Sequence, residues 1–249
     1  MSRRAAIGVA GALRIAARMV AMLAWLLLCV VFYYAWRLTR RRNPWPRRFL
    51  GGIARLAGVR VTRTGAQVRS GTLLIANHVS WIDIPALSGA CGAAFVAHDG
   101  LAGVPVLRWL CEMNDTVFIA RHDRGSVARQ VEQVRAGLDR SQVLAIFPEG
   151  TTSDGTALMP LKSSLLSAID PLPPGAAVQP VLLDYGSESA AIAWVGDESG
   201  GANFLRMLAR SRPVLLTLRF LPPLEGEALA NRKTIATAAQ AALTAALAG

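Results

Sequence analysis

The longest uninterrupted apolar stretch runs from Met19 to Trp36, MVAMLAWLLLCVVFYYAW, without a charged residue. At about 1.5 Å per residue it predicts a helix of roughly 27 Å, close to the hydrocarbon thickness of a bilayer. Beyond Pro44 and Pro46 the pattern changes to short apolar runs separated by longer mixed segments. Strands are predicted at Val59–Val61, Thr72–Ala76, Ala93–Ala97, Thr116–Ala120, Val143–Phe147, Val178–Leu183, Ala191–Val195 and Val214–Phe220. Ser126–Leu138 predicts a helix, because Val127, Val131, Val134 and Leu138 share one stripe after a serine cap. The alanine-rich stretch after Leu224 predicts a terminal helix. Strands alternating with helices predict an α/β domain, its mostly parallel sheet covered by helices, with ligand sites at the carboxyl ends of the strands. The chain thus divides into an N-terminal membrane-associated helical segment, residues 1–45, and one domain, residues 46–249.

Composition agrees with a membrane partner. The hydrophobic fraction is 53% and the mean hydropathy +0.36, both high for a soluble enzyme. A net charge of +11 favours anionic partners, and it rests on arginine, since Lys162 and Lys233 are the only lysines. No zinc-finger spacing, RRM-like aromatic motif or heptad-bearing basic helix accompanies that charge, so nucleic acid is not the expected partner. Instead, Arg37, Arg40, Arg41, Arg42, Arg47 and Arg48 follow the apolar segment, whose Tyr33, Tyr34 and Trp36 form an interfacial belt. This pattern places the domain in the cytosol. Arg3, Arg4, Arg14 and Arg18 precede the segment, which leaves both a spanning and a surface-lying helix open. The run ends in arginines where a signal peptide would end in a small-residue cleavage site. Cys29, Cys91 and Cys111 show no metal-ligand spacing, so no metal is expected.

Candidate chemistry gathers where strands end. In LLIANHVSWIDIP, Leu73 to Pro85, His78 follows a strand. Pro85 requires the next helix to start between about Ser80 and Asp83. Ser80-x-x-Asp83 then reads either as a capping box or, with His78 across a bent junction, as a base held in one tautomer by a carboxylate. AIFPEGTTSDG, Ala145 to Gly155, ends a second strand with Glu149, Gly150 and the hydroxyls of Thr151, Thr152 and Ser153, whose amides would face an anion if a helix began there. DTVFIAR brings Arg121, with its planar fork for phosphate or carboxylate, to the end of a third.

In order and spacing these segments resemble the lysophosphatidic acid acyltransferase family of glycerolipid acyltransferases, over about Leu73 to Tyr185. NHVSWID matches the NHxxxxD block, VFIAR the second, FPEGTTS the third, and the Val178–Leu183 strand with Pro180 the fourth. The resemblance implies a fatty acyl transfer from a thioester, acyl-CoA or acyl carrier protein, to a lysolipid hydroxyl, with no cofactor and no metal. It assigns His78 as general base, Asp83 as its orienting carboxylate, and Arg121, Glu149 and Gly150 to substrate binding; Lys162 resembles a family lysine after the third block, and with the Thr151 hydroxyl it joins the expected substrate-binding residues. His98, Ala120 and Ser163 depart from residues frequent in the family. Lysophosphatidic acid, 1-acyl-glycerol-3-phosphate, is the first expected acceptor, and lyso-ornithine lipid the alternative, since FPEGTTSDG with PLKSS also resembles enzymes acylating that lipid. A serine hydrolase using Ser80 or Ser153 is disfavoured because no G-x-S-x-G elbow occurs. A non-catalytic membrane-binding protein is disfavoured by the chemistry-bearing residues in all three blocks.

Overall fold

A computed structural model describes residues 7–68, 71–98, 103–119 and 127–249. Among them the helices are α1 Val9–Arg37, α2 Trp45–Leu56, α3 Asp83–Cys91, α4 Pro105–Met113, α5 Val127–Ser141, the single turn α6 Ser189–Ile192, α7 Gly200–Ala209 and α8 Arg232–Ala248. The strands are β1 Val59–Thr64, β2 Thr72–Ala76, β3 Ala94–His98, β4 Val117–Ile119, β5 Val143–Ile146, β6 Ala177–Asp184 and β7 Val214–Phe220.

The seven strands form one sheet in the order β1-β7-β6-β2-β5-β3-β4. β6, β2, β5, β3 and β4 run parallel; β7 reverses against β6, and β1 follows β7. Every residue of β2 is buried, as expected for a parallel strand covered on both faces. One face packs residues of α2, α3 and α7 against Leu74, Ala76, Val181 and Leu218; the other packs α5 and α8 against Leu73, Ile75, Leu144 and Val178. This is the α/β sheet expected from the sequence. The Ala191–Val195 run is not a strand: Ala191 and Ile192 close α6, and the Trp194 N–H donates to Val79 O at 2.9 Å. A five-residue apolar run reads alike for a strand and for a buried turn, and here Ile192 and Ala193 are buried off the sheet.

α1 extends ten residues before the uncharged stretch, and its arginines explain themselves in the packing. Arg14 donates to Ala209 O, and Arg18 to Met207 O and Leu208 O, so both satisfy carbonyls at the carboxyl end of α7. One stripe of α1 packs on the domain through Ile15, Met22, Trp25 and Cys29, with Trp25 Nε1 donating to Phe49 O. The opposite stripe, Val9, Leu13, Val20, Leu27 and Val31, is apolar and at least 60% exposed.

Candidate active site

β2 ends at Ala76 and α3 begins at Asp83, so the intervening junction lies at the carboxyl edge of the parallel strands. Asn77 anchors it: its side chain donates to Leu183 O at 3.1 Å and accepts from Leu183 N at 2.7 Å. Asp83 is fully buried and receives four donors. Its Oδ2 accepts from His78 Nδ1 at 2.7 Å, Val79 N at 2.6 Å and Ser80 N at 2.9 Å, and its Oδ1 from the Tyr185 hydroxyl. The capping box is only half formed: Asp83 accepts the Ser80 amide, but the Ser80 hydroxyl turns to Asn203 and no side chain caps α3, while the same carboxylate holds the imidazole. Because an ionised carboxylate only accepts, the contact puts the proton on Nδ1 and leaves Nε2 as the basic nitrogen.

His78 lines an open cavity of about 470 Å³ together with Phe95, Phe147, Thr151 and Trp194. Phe147 stacks on the imidazole with ring centroids 4.3 Å apart, limiting its rotation. Glu149 is fully buried, and its Oε1 accepts the His78 backbone N–H at 2.8 Å. Burial pushes the Glu149 carboxyl up to about 6, against the opposing hydrogen bond from His78. Glu149 thus faces the loop that carries the base. Gly150 adopts φ +75, and a Cβ there would stand 3.4 Å from Lys162 Nζ, so the ammonium lies beside this turn.

The structure brings His78, Asp83, Glu149, Gly150, Thr151 and Lys162 to one edge; Arg121 and Ala120 lie outside the described residues. No helix begins at Thr151–Ser153. The chain turns at Gly150 and stays irregular until a 3-10 helix at Ser163–Ile169, while the Thr152 hydroxyl donates to Trp194 O. Neither candidate serine is bonded to the His78 ring: Ser80 Oγ donates to Asn203 Oδ1 at 3.4 Å, and Ser153 Oγ to His78 O at 3.1 Å. Sequence reasoning missed Tyr185, although its place one residue beyond β6 puts an aromatic hydroxyl at the carboxyl edge. Burial, then the Asp83 charge, pushes the Tyr185 phenol well above its ordinary range, so it remains a donor.

The acyltransferase family model matches residues 58–184. A lyso-ornithine lipid O-acyltransferase of Rhodobacter capsulatus is 29% identical over 94% of this chain and 90% of its own length. Its Brucella abortus counterpart is 30% identical over 91% of each. A 1-acyl-sn-glycerol-3-phosphate acyltransferase of Neisseria gonorrhoeae is 38% identical over 56% of this chain and 54% of its own. Among solved structures, the 1-acyl-sn-glycerophosphate (LPA) acyltransferase PlsC of Thermotoga maritima shares the fold, with a TM-score of 0.63 and 19% identity over 94% of this chain and 96% of that one.

Proposed function

From the premise that this chain belongs to the acyltransferase family, in its lysophosphatidic acid acyltransferase-like group, and acylates lysolipids, we propose that His78 and Asp83 carry the transfer and that the acceptor is lyso-ornithine lipid. The observation behind the mechanism is the Asp83-held imidazole on an open cavity. His78 Nε2 takes the proton of the acceptor hydroxyl as that oxygen attacks the thioester carbonyl. Asp83 stabilises the imidazolium, which returns the proton to the departing thiolate as the C–S bond breaks, so that an ester and a free thiol leave. No covalent enzyme intermediate is needed. The donor is acyl-CoA or acyl carrier protein, arriving from the cytosol.

The acceptor reading rests on relatives that match nearly the whole chain and are named for lyso-ornithine lipid. The ornithine carboxylate would take the Arg121 fork, and the Lys162 ammonium lies beside the Gly150 turn. Higher identity to the Neisseria enzyme over half the chain favours 1-acyl-glycerol-3-phosphate as the second reading. Purified full-length protein, offered each lysolipid with the same thioester, should turn over lyso-ornithine lipid faster. Faster turnover of 1-acyl-glycerol-3-phosphate would reverse the choice, and thiol release without ester formation would overturn the transfer itself.

Attachment to the membrane goes through α1. Beside it, Val104 at the start of α4 and Val106 and Leu107 within it are exposed, and Trp109 Nε1 donates to Tyr34 OH at 3.3 Å. A helix packed along its inner stripe on the domain supports the surface-lying placement on the cytosolic leaflet of the inner membrane over a free span.

A further inference from the structure

At the opposite edge of the sheet from His78, the amino ends of β3 and β5, the α1–α2 corner and the carboxyl ends of α3 and α5 enclose a second cavity of about 490 Å³. Arg42, Arg47, Arg63 and Arg140 line it, against one carboxylate among its described lining residues, Asp115. Part of this charge has an internal use. Arg47 donates to Gly89 O and Ala90 O, Arg63 to Ala90 O and Arg42 to Asp139 O, while Arg140 lies 3.7 Å from Asp115. Capping helix ends accounts for one or two donors per guanidinium out of five. Setting the four arginines and the amino end of α2 against Asp115 and the carboxyl ends of α3, α4 and α5 leaves roughly two uncompensated positive charges. Burial pushes Asp115 upward, so the carboxylate is itself held at a cost.

The location narrows what would supply the missing anion. Arg42 and Asn43 lie one turn beyond α1, Trp45 stacks on Phe32 with centroids 4.6 Å apart, and the Arg48 guanidinium lies 4.9 Å over the Trp45 ring. Tryptophan and arginine beside an apolar helix mark the depth of lipid headgroups. We propose that this cavity binds a phosphate-bearing headgroup, supplied by an anionic membrane phospholipid, at a site separate from the acceptor site. The proposal rests on the membrane reading of α1. Occupation would neutralise the arginines and fix the α1–α2 corner against the bilayer.

The test uses full-length protein and flotation with vesicles of phosphatidylcholine alone or mixed with phosphatidylglycerol. Arg42→Gln/Arg140→Gln leaves Arg47 and Arg63 on the α3 carbonyls; Arg129→Gln/Arg212→Gln removes the same charge from exposed positions outside the cavity. The first pair should lose the phosphatidylglycerol-dependent gain in binding, about tenfold or more, with phosphatidylcholine binding retained. Equal losses from the control pair would overturn the site in favour of overall charge. Absence of binding to either vesicle by the unaltered protein would instead overturn the membrane reading. Should the double variant melt early, Arg42→Gln alone is read the same way. Inorganic phosphate without vesicles separates the source: a thermal shift lost in the variant, with no lipid effect, would support the anion site and overturn the lipid as its occupant.

Discussion

At the scale of the residue, Asp83 combines two roles that its neighbours keep inseparable. Asparagine is an ordinary substitute at a helix start, yet here its NH₂ would face donors, because all four groups around Asp83 donate. Asp83→Asn should therefore lower kcat by roughly 10³–10⁴ and also cost about 1–3 kcal/mol for the mismatched donors, measured by turnover and thermal melting. His78→Ala should be equally inactive with its melting nearly preserved. Tyr185→Phe tests the hydroxyl without emptying the core. Losing that donor leaves Asp83 Oδ1 buried without a partner and loosens the carboxylate that orients His78, so kcat should fall roughly tenfold with KM nearly unchanged; an unchanged kcat would make Tyr185 a packing residue. Among the described residues, the charged or titratable groups around the imidazole are Asp83, Glu149 and, on the cavity wall, Glu198, with Tyr185 behind Asp83. Glu149 carries its own pH signature. With its carboxyl raised from 4.5 to about 6, the folded state holds more protons than the unfolded one in that window. Stability should thus fall as pH rises through it, by about 2 kcal/mol at most. Glu149→Gln keeps an acceptor for the His78 N–H and should abolish the slope in melts taken across those pH values.

At the scale of the element, the junction from β2 to α3 was legible because its signals are local: a buried apolar run, a histidine after it, and Pro85 fixing where the helix starts. What the sequence could not display is whatever comes from far along the chain. Tyr185 meets Asp83 across 102 residues, and Trp194 reaches Val79 from a segment whose apolar pattern imitated a strand. The crossing of α2 and α3 was equally hidden, since Gly51 and Gly89 mark it only once the helices touch. A Cβ on Gly89 would stand 2.3 Å from Gly51 Cα, a backbone atom that cannot swing away. Gly89→Ala should accordingly destabilise by at least about 1–3 kcal/mol. Gly201→Ala, in α7 with nothing within 4 Å, should stabilise by about 0.5–1 kcal/mol. Thermal denaturation of the two variants side by side checks both signs.

At the scale of the whole molecule, the chain's boundary near residue 45 separates two compositions but not two folding units. α1 covers Ala54 and the α2 backbone, and its Arg14 and Arg18 close the carboxyl end of α7. Protein lacking residues 1–43 should therefore lose thermal stability as well as its hold on vesicles; release into solution with unchanged melting would show that α1 is only a tether. The pinning of α1 has a mechanical consequence. Arg18 fastens it near the active edge through α7, and at its far end Asn43 donates to Tyr33 O and Arg42 to Asp139 O. A helix held at both ends cannot tilt to follow a thicker or thinner bilayer, so the domain must ride at whatever depth its apolar face settles. The work of opening lipid to admit that face then adds to every encounter with an acceptor. Transfer measured on a monolayer should slow as lateral pressure rises, by a factor set by the area α1 displaces and not by the chemistry at His78.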